Sequence, residues 1–422
     1  MYRFALSPAE DIHVNTLRVA LFTYLCAQKE KARFLVRIEG VNTGKDQEML
    51  ALLATFGITY DALYYQRENL KFHHQCAAAL LSNGKAFSCF CAEESLAFKR
   101  ELARNSGTPY RYDGACEHLS DAEVLDNQAP FTVRIKAPQG ALTFTDALRG
   151  EILLEENDSF VLLHHDKSPA YDFACAVDDM LQGVRFVFCE EDFLSSAPKQ
   201  AHIRHSLGFT EPMRYAHVPA IKETTSGQED ALSVTWLLAQ GFLPHAISNY
   251  LICLGNTTPC EVFTLEEALA WFDPRNLSAP CAPFDIEALR HLNREHLLRM
   301  DDALLASLLD FSGADFGKLA KFYTQEASTL QELKPKLHAI FSPKVVPEGC
   351  EAAFTTLQNA LLQAPHFETF EALKTHLRLT CKLEGDHLIT PLRALLTGLK
   401  DGPDLGALYP LITPYLKEIV RS

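Results

Sequence analysis

The sequence predicts an α/β plus all-α protein, in which an amino-terminal α/β region precedes a helical remainder. Three observations favour this fold class. At 422 residues the chain is too long for one compact core, so two or three domains are expected. The first forty or so residues follow the order strand, helix, apolar strand, and helical patterns dominate from about residue 285 onward.

Three short segments define the amino-terminal elements. YRFAL at 2–6 is β-prone, and FLVRIE at 34–39 is apolar enough to be a fully buried strand. Between them, TLRVALFTYLCAQ at 16–28 has helical spacing. Its predicted buried face consists of Leu17, Ala20, Leu21, Tyr24 and Leu25. This order is typical of a parallel α/β unit, whose ligand crevice lies at the carboxyl ends of its strands.

Beyond Pro198 the sequence is predicted to be mostly helical. GFLPHAISNYLICLG at 241–255 carries helical periodicity, and a group of prolines predicts a change of domain between about 259 and 284. The prolines are Pro259, Pro274, Pro280 and Pro283. Later breaks in the helical pattern fall at FSPKVVPEG, residues 341–349, and at LKDGPDLG, residues 399–406.

Composition and charge restrict the class of protein but do not identify a binding partner. No run approaches the roughly 20 apolar residues of a membrane span, and the first residues do not resemble a secretion signal, so a cytoplasmic protein is expected. Twelve scattered cysteines then indicate reduced thiols and a metal site. The net charge of −15 neither supports nor excludes RNA binding, because the region from Glu326 onward is nearly neutral.

The first informative motif is RFALSPAEDIHVNTLRVALFTYL at 3–25. It resembles the pattern RFAPSPTGxxHIGxxRxALFNYL of class I glutamyl-tRNA synthetases. The resemblance implies a Rossmann-like catalytic domain and assigns the following roles. Glutamate would contact Arg3, Ala5 and Ser7, and ATP would contact His13 and Thr16. The imidazole of His13 would lie near the ATP phosphates and stabilise charge that moves toward pyrophosphate.

Two residues of this motif depart from the family pattern. Asn15 stands where the family has a glycine that leaves room for adenine, so a side chain is expected in that space. Glu10 also replaces a glycine and adds a carboxylate near the expected phosphates. Both changes are predicted to weaken ATP binding.

A second segment, VPAIKETTSGQEDALSV at 218–234, resembles the flanks of the family's mobile ATP loop. In relatives, lysines of that loop neutralise pyrophosphate charge. Here KETTSGQED contains one lysine and three acids, and Lys222 lies in the lead-in rather than at the signature position. A solvated surface turn is the favoured interpretation of this segment, because its charge has the wrong sign for a nucleotide.

The amino-acid pocket is predicted from three further matches to the family. RIEGVN at 37–42 resembles RIEDTD and keeps Glu39, which would meet the substrate ammonium. DKSPAYDFACAVDDM at 166–180 resembles DGxPTYNFAxVVDDxLM, which places Tyr171 beside bound glutamate. The same match assigns Asp178 and Asp179 to a structural acidic pair at the end of a helix.

The third match contains the most consequential substitution. CEEDFLSSAPKQ at 189–200 resembles RGEDHLxNTPKQ, in which the arginine pairs with the substrate carboxylate. Cys189 occupies that position and offers only a weak, uncharged donor. Phe193 replaces the family histidine, while Asp192 matches the acidic position near the ATP ribose. Substrate glutamate is therefore predicted to be held at one end only.

A metal site is predicted from CFC at 89–91 and CEH at 116–118. The candidate ligands are Cys89, Cys91, Cys116 and His118. Three thiolates and an imidazole satisfy tetrahedral Zn²⁺ and leave no open coordination position, so the zinc would be structural. The spacing also matches a zinc element of some glutamyl-tRNA synthetases.

The resemblance implies three domains. They are a catalytic domain at 1–205 with a zinc-bearing insertion at about 75–150, a helical stem-contact domain at 206–325 and a helical anticodon-binding domain at 326–422. The predicted function is that of a glutamyl-tRNA synthetase homologue whose ATP site is degenerate and whose activity is weak or lost. Expected partners are glutamate, ATP with Mg²⁺ and tRNA, and a monomer is expected.

Two other functions remain open. The chain could be an active ligase that uses Lys222 or Lys199 as a substitute cation, or a non-catalytic module that binds tRNA or regulates another protein.

Overall fold

The computed structural model describes residues 1–7, 11–40, 44–154, 158–211, 213–223, 232–277 and 282–422. The chain divides into two compact units. Unit 1 comprises Met1–Gly227 and Leu251–Phe284, and unit 2 comprises Gln228–Tyr250 and Asp285–Ser422. Within the described ranges, no helix has both the length and the apolar character needed to cross a membrane.

Twelve strands are described, and all belong to unit 1. They are β1 Tyr2–Leu6, β2 Phe34–Ile38, β3 Ala62–Tyr65, β4 Ala86–Cys89, β5 Thr132–Ile135, β6 Leu142–Asp146, β7 Gly150–Leu154, β8 Phe160–Leu163, β9 Phe186–Glu190, β10 Arg214–Val218, β11 Ile221–Glu223 and β12 Ala282–Phe284.

The main sheet has seven strands in the order β3-β2-β1-β9-β10-β6-β7. All neighbours are parallel except the β6–β7 pair at one edge, which is antiparallel. β2 and β3 lie on one side of β1, and β9, which comes later in the chain, pairs with the other side of β1. This reversal is the topological switch point at which open α/β sheets bind ligands.

Two smaller sheets accompany the main one. β4, β5 and β8 form an antiparallel sheet, and β11 pairs with β12 in parallel. β8 joins the small sheet, whereas β6 and β7, which precede it in the chain, extend the main one.

Nineteen α-helices are described in the two units. They are α1 Val14–Lys29, α2 Asp46–Thr55, α3 Leu70–Ser82, α4 Glu93–Asn105, α5 Asp121–Asp126, α6 Tyr171–Leu181, α7 Ser196–Ser206, α8 Val234–Ala239, α9 Pro244–Cys253, α10 Leu265–Trp271, α11 Ile286–Arg299, α12 Asp302–Leu308, α13 Ala314–Phe322, α14 Leu330–Phe341, α15 Glu351–Gln363, α16 Phe370–Cys381, α17 Asp386–Thr397, α18 Leu405–Ile412 and α19 Leu416–Arg421.

Short 3-10 helices occupy some of the connections. They are Gln66–Asn69, Glu191–Phe193, Pro274–Asn276, Tyr323–Gln325 and Thr413–Tyr415.

Helix α1 is a core element of unit 1. Leu17, Leu21 and Leu25 repeat on one side and are fully buried, as the helical spacing predicts. His13 is the N-cap, and its Nδ1 accepts a hydrogen bond from the Asn15 N–H at 3.2 Å. The cap holds the imidazole at the start of a 16-residue helix.

Unit 2 is held together by leucines at helical spacing. Leu333 and Leu337 of α14 pack in one cluster with Leu373 and Leu377 of α16, and all four are fully buried. Helices α12 and α13 approach so closely that a Cβ at Gly317 would collide with the Asp302 carbonyl. Glycine is therefore required at this crossing.

The predicted elements are largely confirmed. The strand, helix and apolar strand at the amino terminus are present, residues from 285 onward are helical, and the two predicted breaks separate α14 from α15 and α17 from α18. The prediction of mainly helical structure after Pro198 missed β10, β11 and β12. β10 belongs to the main sheet beyond the predicted boundary at 205. The three-domain division remains a prediction.

Candidate functional site

A cleft of about 480 Å³ opens at the switch point of the main sheet. It is lined by the carboxyl ends of β1 and β9, the residue after β2 and the start of α1. The structure brings together at this cleft all the predicted substrate and ATP residues except Asp192. These residues are Arg3, Ala5, Ser7, His13, Thr16, Glu39, Tyr171 and Cys189.

The start of α1 provides the polar edge of the cleft. Because Nδ1 of His13 accepts a backbone hydrogen bond, a neutral ring carries its proton on Nε2. The Thr16 hydroxyl donates to Oε1 of Glu190 at 2.8 Å. Asn15 does not turn toward the cleft lining but accepts the Ile221 N–H at 2.8 Å. The dipole of α1 favours anions at this edge.

Behind the cleft lies a buried ion cluster centred on Arg37. Its Nη1 donates to Asp179 at 2.6 Å, and its Nη2 donates to Glu39 at 3.0 Å. Arg3 donates through Nε to the same Asp179 at 3.1 Å. Burial alone would raise the pKa of Asp179, but the two guanidiniums outweigh burial and hold the pKa below its ordinary value.

The second aspartate of the acidic pair joins this cluster to α3. Asp178 is fully buried and accepts hydrogen bonds from Gln66, Asn69 and His73 at 3.0, 2.9 and 3.0 Å. The sequence argument predicted the acidic pair but missed these partners. The only sequence signal for them was a run of polar residues before α3.

The lining of the cleft contains two of the substituted residues. Phe193 packs against Tyr171 with a ring separation of 5.6 Å, so the family histidine is replaced by an apolar contact. Cys189 packs beside Val187 and Tyr215, and burial raises the pKa of its thiol to about 12. Cys189 is therefore an uncharged group at physiological pH.

Several residues considered in the sequence lie away from this lining. Asp192 is exposed on the short helix Glu191–Phe193 and does not line the cleft. Lys222 is exposed on β11, and Lys199 lies 3.7 Å from Asp172. Neither lysine lines the cleft. Glu10 and most of KETTSGQED, from residue 224, lie outside the described residues.

A second cluster brings together the three cysteines of the predicted metal site. The sulfurs of Cys89, Cys91 and Cys116 lie within 4.8 Å of one another, and the Cys91 and Cys116 sulfurs are 3.7 Å apart. Tetrahedral zinc with Zn–S bonds of about 2.3 Å requires sulfurs about 3.8 Å apart. The Cys91–Cys116 separation matches that distance, and Cys89 lies within 4.8 Å of both sulfurs.

The fourth ligand predicted from the sequence spacing lies away from the three sulfurs. His118 is exposed and does not belong to the cluster of donor atoms. The Tyr112 hydroxyl lies 3.4 Å from the Cys89 sulfur and 3.5 Å from the Cys91 sulfur, and it accepts the Cys116 N–H at 3.1 Å. Counting cysteines and histidines could not have found Tyr112.

Comparison with known proteins identifies the family. Residues 1–291 match the family model for the catalytic domain of class I tRNA synthetases (E and Q). A Campylobacter curvus protein named glutamate–tRNA ligase 1 is 47% identical over 431 residues, and the match covers 100% of both chains. The chain belongs to the glutamate–tRNA ligase family. A Campylobacter jejuni protein of the same name is 48% identical over 432 residues, again with 100% of both chains covered.

Solved structures agree with this family assignment at the level of the fold. A glutamate–tRNA ligase from Elizabethkingia meningosepticum, determined in complex with its amino acid, matches with a TM-score of 0.82 and 22% identity. That match covers 99% of this chain and 98% of the other. The glutamate-tRNA synthetase of Elizabethkingia anophelis matches with a TM-score of 0.81 and 20% identity over similar coverage. The Rossmann-like sheet with its helical remainder is therefore the fold of this family.

Proposed function

We propose that this member of the glutamate–tRNA ligase family keeps an amino-acid and nucleotide cleft but activates amino acids weakly or not at all. The family reaction joins glutamate to tRNA with ATP, through attack of the amino-acid carboxylate on the α-phosphate. Residues that would bind the amino acid and the start of α1 converge on one cleft, which supports binding. The charge of the cleft argues against efficient activation.

The observation that carries this proposal is the scarcity of cations. Among the described residues that line the cleft, Arg3 is the only lysine or arginine. It already pairs with Asp179, whereas Asp11, Glu39 and Glu190 add carboxylates to the lining. Transfer of a nucleotidyl group depends on cations that stabilise the charge moving to pyrophosphate. Loss of such contacts costs factors of about 10² or more in rate.

An active ligase would need a substitute cation. Lys199 is held by Asp172 and Lys222 is exposed on β11, and neither lines the cleft. Mg²⁺ bound with ATP would supply charge, and His13 would face the phosphates from the N-cap of α1. Our proposal therefore assigns His13 and Thr16 to nucleotide binding, and Asp192 to the ribose.

The proposed macromolecular partner is tRNA. We expect the protein to act in the cytoplasm and as a monomer. The helical remainder would contact the tRNA stem and anticodon, as the division at 206–325 and 326–422 predicts.

ATP–pyrophosphate exchange with glutamate, run with and without tRNA, tests the proposal. We expect exchange near background, and any residual exchange should vanish in His13→Ala. Exchange at the rate of an ordinary synthetase would contradict the proposed loss of activation. tRNA binding measured at several salt concentrations then tests the RNA partner, because phosphate contacts make affinity fall with salt.

We also propose that Cys89, Cys91 and Cys116 hold a structural zinc ion, with His118 or Tyr112 as the fourth ligand. The spacing of the sulfurs supports this proposal. Elemental analysis of the purified protein should give one zinc per chain. Competition with a chelator distinguishes the two candidate fourth ligands. His118→Ala and Tyr112→Phe are compared with the wild type, and only the variant that lacks the true ligand should lose zinc more readily. Equal stability of metal-free and metal-loaded protein would oppose a structural role.

A further inference from the structure

A second cavity lies within unit 2, and none of its lining residues belongs to unit 1. Its volume is about 620 Å³, which is within the range of cavities that hold small organic ligands. Two segments of the chain form it. The first is 361–366, at the end of α15 and just beyond it, and the second is 413–421, which comprises the last 3-10 helix and α19.

Two cations that line this cavity lack a partner. Most lysines and arginines of unit 2 lie within 4.0 Å of an acid, as Lys336 does with Glu326. Lys417 and Arg421, in contrast, make no ion pair or hydrogen bond within the described residues. They are four positions apart on α19 and therefore lie on the same side of this helix. An anionic group in the cavity would give both a partner.

The core of unit 2 holds the elements that carry these groups. Ile419 and Val420, which lie between the two cations, are fully buried. Tyr415 precedes α19, and its ring packs against those of Phe316 and Phe341, with centroid separations of 5.2 and 6.1 Å. Because these contacts already fix the helix and the aromatic ring, a ligand has little disorder to remove when it binds.

The wall of the cavity is otherwise mostly apolar. Its apolar members, beside the ring of Tyr415, are Leu361, Ala364, Pro365, Pro414 and Leu416. A flat ring packs well on such a surface, and aromatic side chains stack on nucleic-acid bases of every kind. The cavity therefore combines two free cations with an apolar, partly aromatic wall.

The charge of the lining limits how many negative charges a ligand can carry. Glu418 lines the cavity next to Lys417, and the described lining has no third lysine or arginine. A single phosphate group, with a charge of about −1.5 to −2, matches two cations. A triphosphate or a strand of RNA brings further negative charges that would find only Glu418.

We propose that this cavity is a second ligand site and binds a free nucleoside monophosphate. Lys417 and Arg421 hold the phosphate, and the base packs against Tyr415 and the apolar wall. The inference does not depend on the function proposed for the cleft, because the cleft residues belong to unit 1.

Photolabelling of the full-length protein with an azido derivative of adenosine monophosphate (AMP) tests the site. Mass spectrometry locates the label, so modification within 361–366 or 413–421 is distinguished from modification of the cleft. We expect label in these two segments, and we expect AMP to displace it. Adenosine lacks the phosphate and inorganic phosphate lacks the base, so neither should displace the label at the same concentration.

A double variant tests the two cations. Lys417→Gln/Arg421→Gln should raise the concentration needed for half-maximal labelling by about 10-fold or more, because hydrogen bonds to charged groups are lost. Lys382→Gln/Lys400→Gln is the matched control and should label as the wild type does. Lys382 and Lys400 are also exposed, lie outside the cavity lining and make no ion pair or hydrogen bond in the part of unit 2 that the structure describes.

Several outcomes would overturn the inference. The first is absence of label from both segments. Displacement by phosphate as effective as that by AMP would show an anion site that does not select a nucleoside. Unchanged labelling of Lys417→Gln/Arg421→Gln, with its fold verified by circular dichroism, would overturn the role of the two cations.

Filter binding with tRNA completes the test. If the double variant binds tRNA more weakly and the azido derivative does not label the wild-type cavity, the site contacts RNA and the proposed binding of a free nucleotide is wrong. Label in the cleft reports separately on the proposed function, so the failure of one proposal is distinguishable from the failure of the other.

Discussion

The buried back of the cleft and its open lining are built in different ways. At the back, Arg37 is completely buried, and its hydrogen-bond partners are Asp179, Glu39 and Gln182. On the lining, Cys189 and Phe193 stand where the family pattern has polar residues, and the Thr16–Glu190 hydrogen bond is only partly buried. The back keeps the residues of the family pattern, whereas the lining combines residues that match the pattern with two that depart from it.

Burial explains this difference. A charge inside the protein is tolerated only when partners satisfy it, so replacing one member of a buried cluster destabilises the fold. When a group on the lining loses its hydrogen-bond partner, water can take the place of that partner, so the stability of the fold changes little. The lining can therefore lose functional groups while the fold persists, and a conserved scaffold does not by itself establish activity.

Removing Arg37 is expected to have the largest effect. Arg37→Met would leave Asp179 and Glu39 short of their main cation and should lower the free energy of unfolding by about 3–5 kcal/mol. The surface pair Arg185–Glu211 supplies the matched control, because both side chains are about half exposed. Arg185→Met should change stability by less than about 1 kcal/mol. Urea denaturation of both variants measures the difference, and equal effects would contradict the contrast between the back and surface.

Much of this back could be predicted from the sequence, but its connections could not. The strand–helix–strand pattern predicted the strands that carry Arg3 and Glu39, and the family match supplied the roles of these residues together with Tyr171 and Asp179. Gln182 and His73 were missed because each meets a partner far away in the chain. Gln182 accepts from Arg37, 145 positions earlier, and His73 contacts Asp178, 105 positions later. Spacing along the chain gives the side of a helix or strand, not the contact made across the core.

The metal cluster shows the same limit of sequence spacing. The CFC and CEH segments predicted the three sulfurs correctly as neighbours. The position of the fourth donor depends on how the turn at residues 115–118 folds. In that turn, His118 is exposed. Tyr112 precedes the turn in the chain and places its hydroxyl beside the Cys89 sulfur.

Acid should remove the stabilisation that the buried Asp179 carboxylate supplies at the back of the cleft. The folded pKa of Asp179 lies below 3.8, its ordinary value, because of Arg3 and Arg37, although burial opposes them. The unfolded chain therefore takes up the proton first, so the stabilisation is present above the ordinary pKa and is lost as pH falls through the folded pKa. Stability measured by urea denaturation should fall steeply below about pH 4.

The Arg37→Met variant sharpens this pH test. With one of its two cations removed, Asp179 should have a less depressed pKa, and the loss of stability between about pH 5 and 3 should be shallower than in the wild type. Arg185→Met should keep the wild-type slope. A slope that is the same in all three proteins would mean that carboxylates elsewhere dominate acid unfolding.

Removing a polar contact from the lining is expected to have the smallest effect. The Thr16 hydroxyl donates to Glu190 at 2.8 Å, and both residues are only partly buried. In Thr16→Val, water can replace the lost donor at Glu190, so the free energy of unfolding should fall by about 1 kcal/mol or less. The measurement is urea denaturation beside Thr55→Val, whose hydroxyl donates to the Ala51 carbonyl on an exposed helix surface. A loss in Thr16→Val as large as that in Arg37→Met would show that the lining carries fold stability and would erase the distinction from the back.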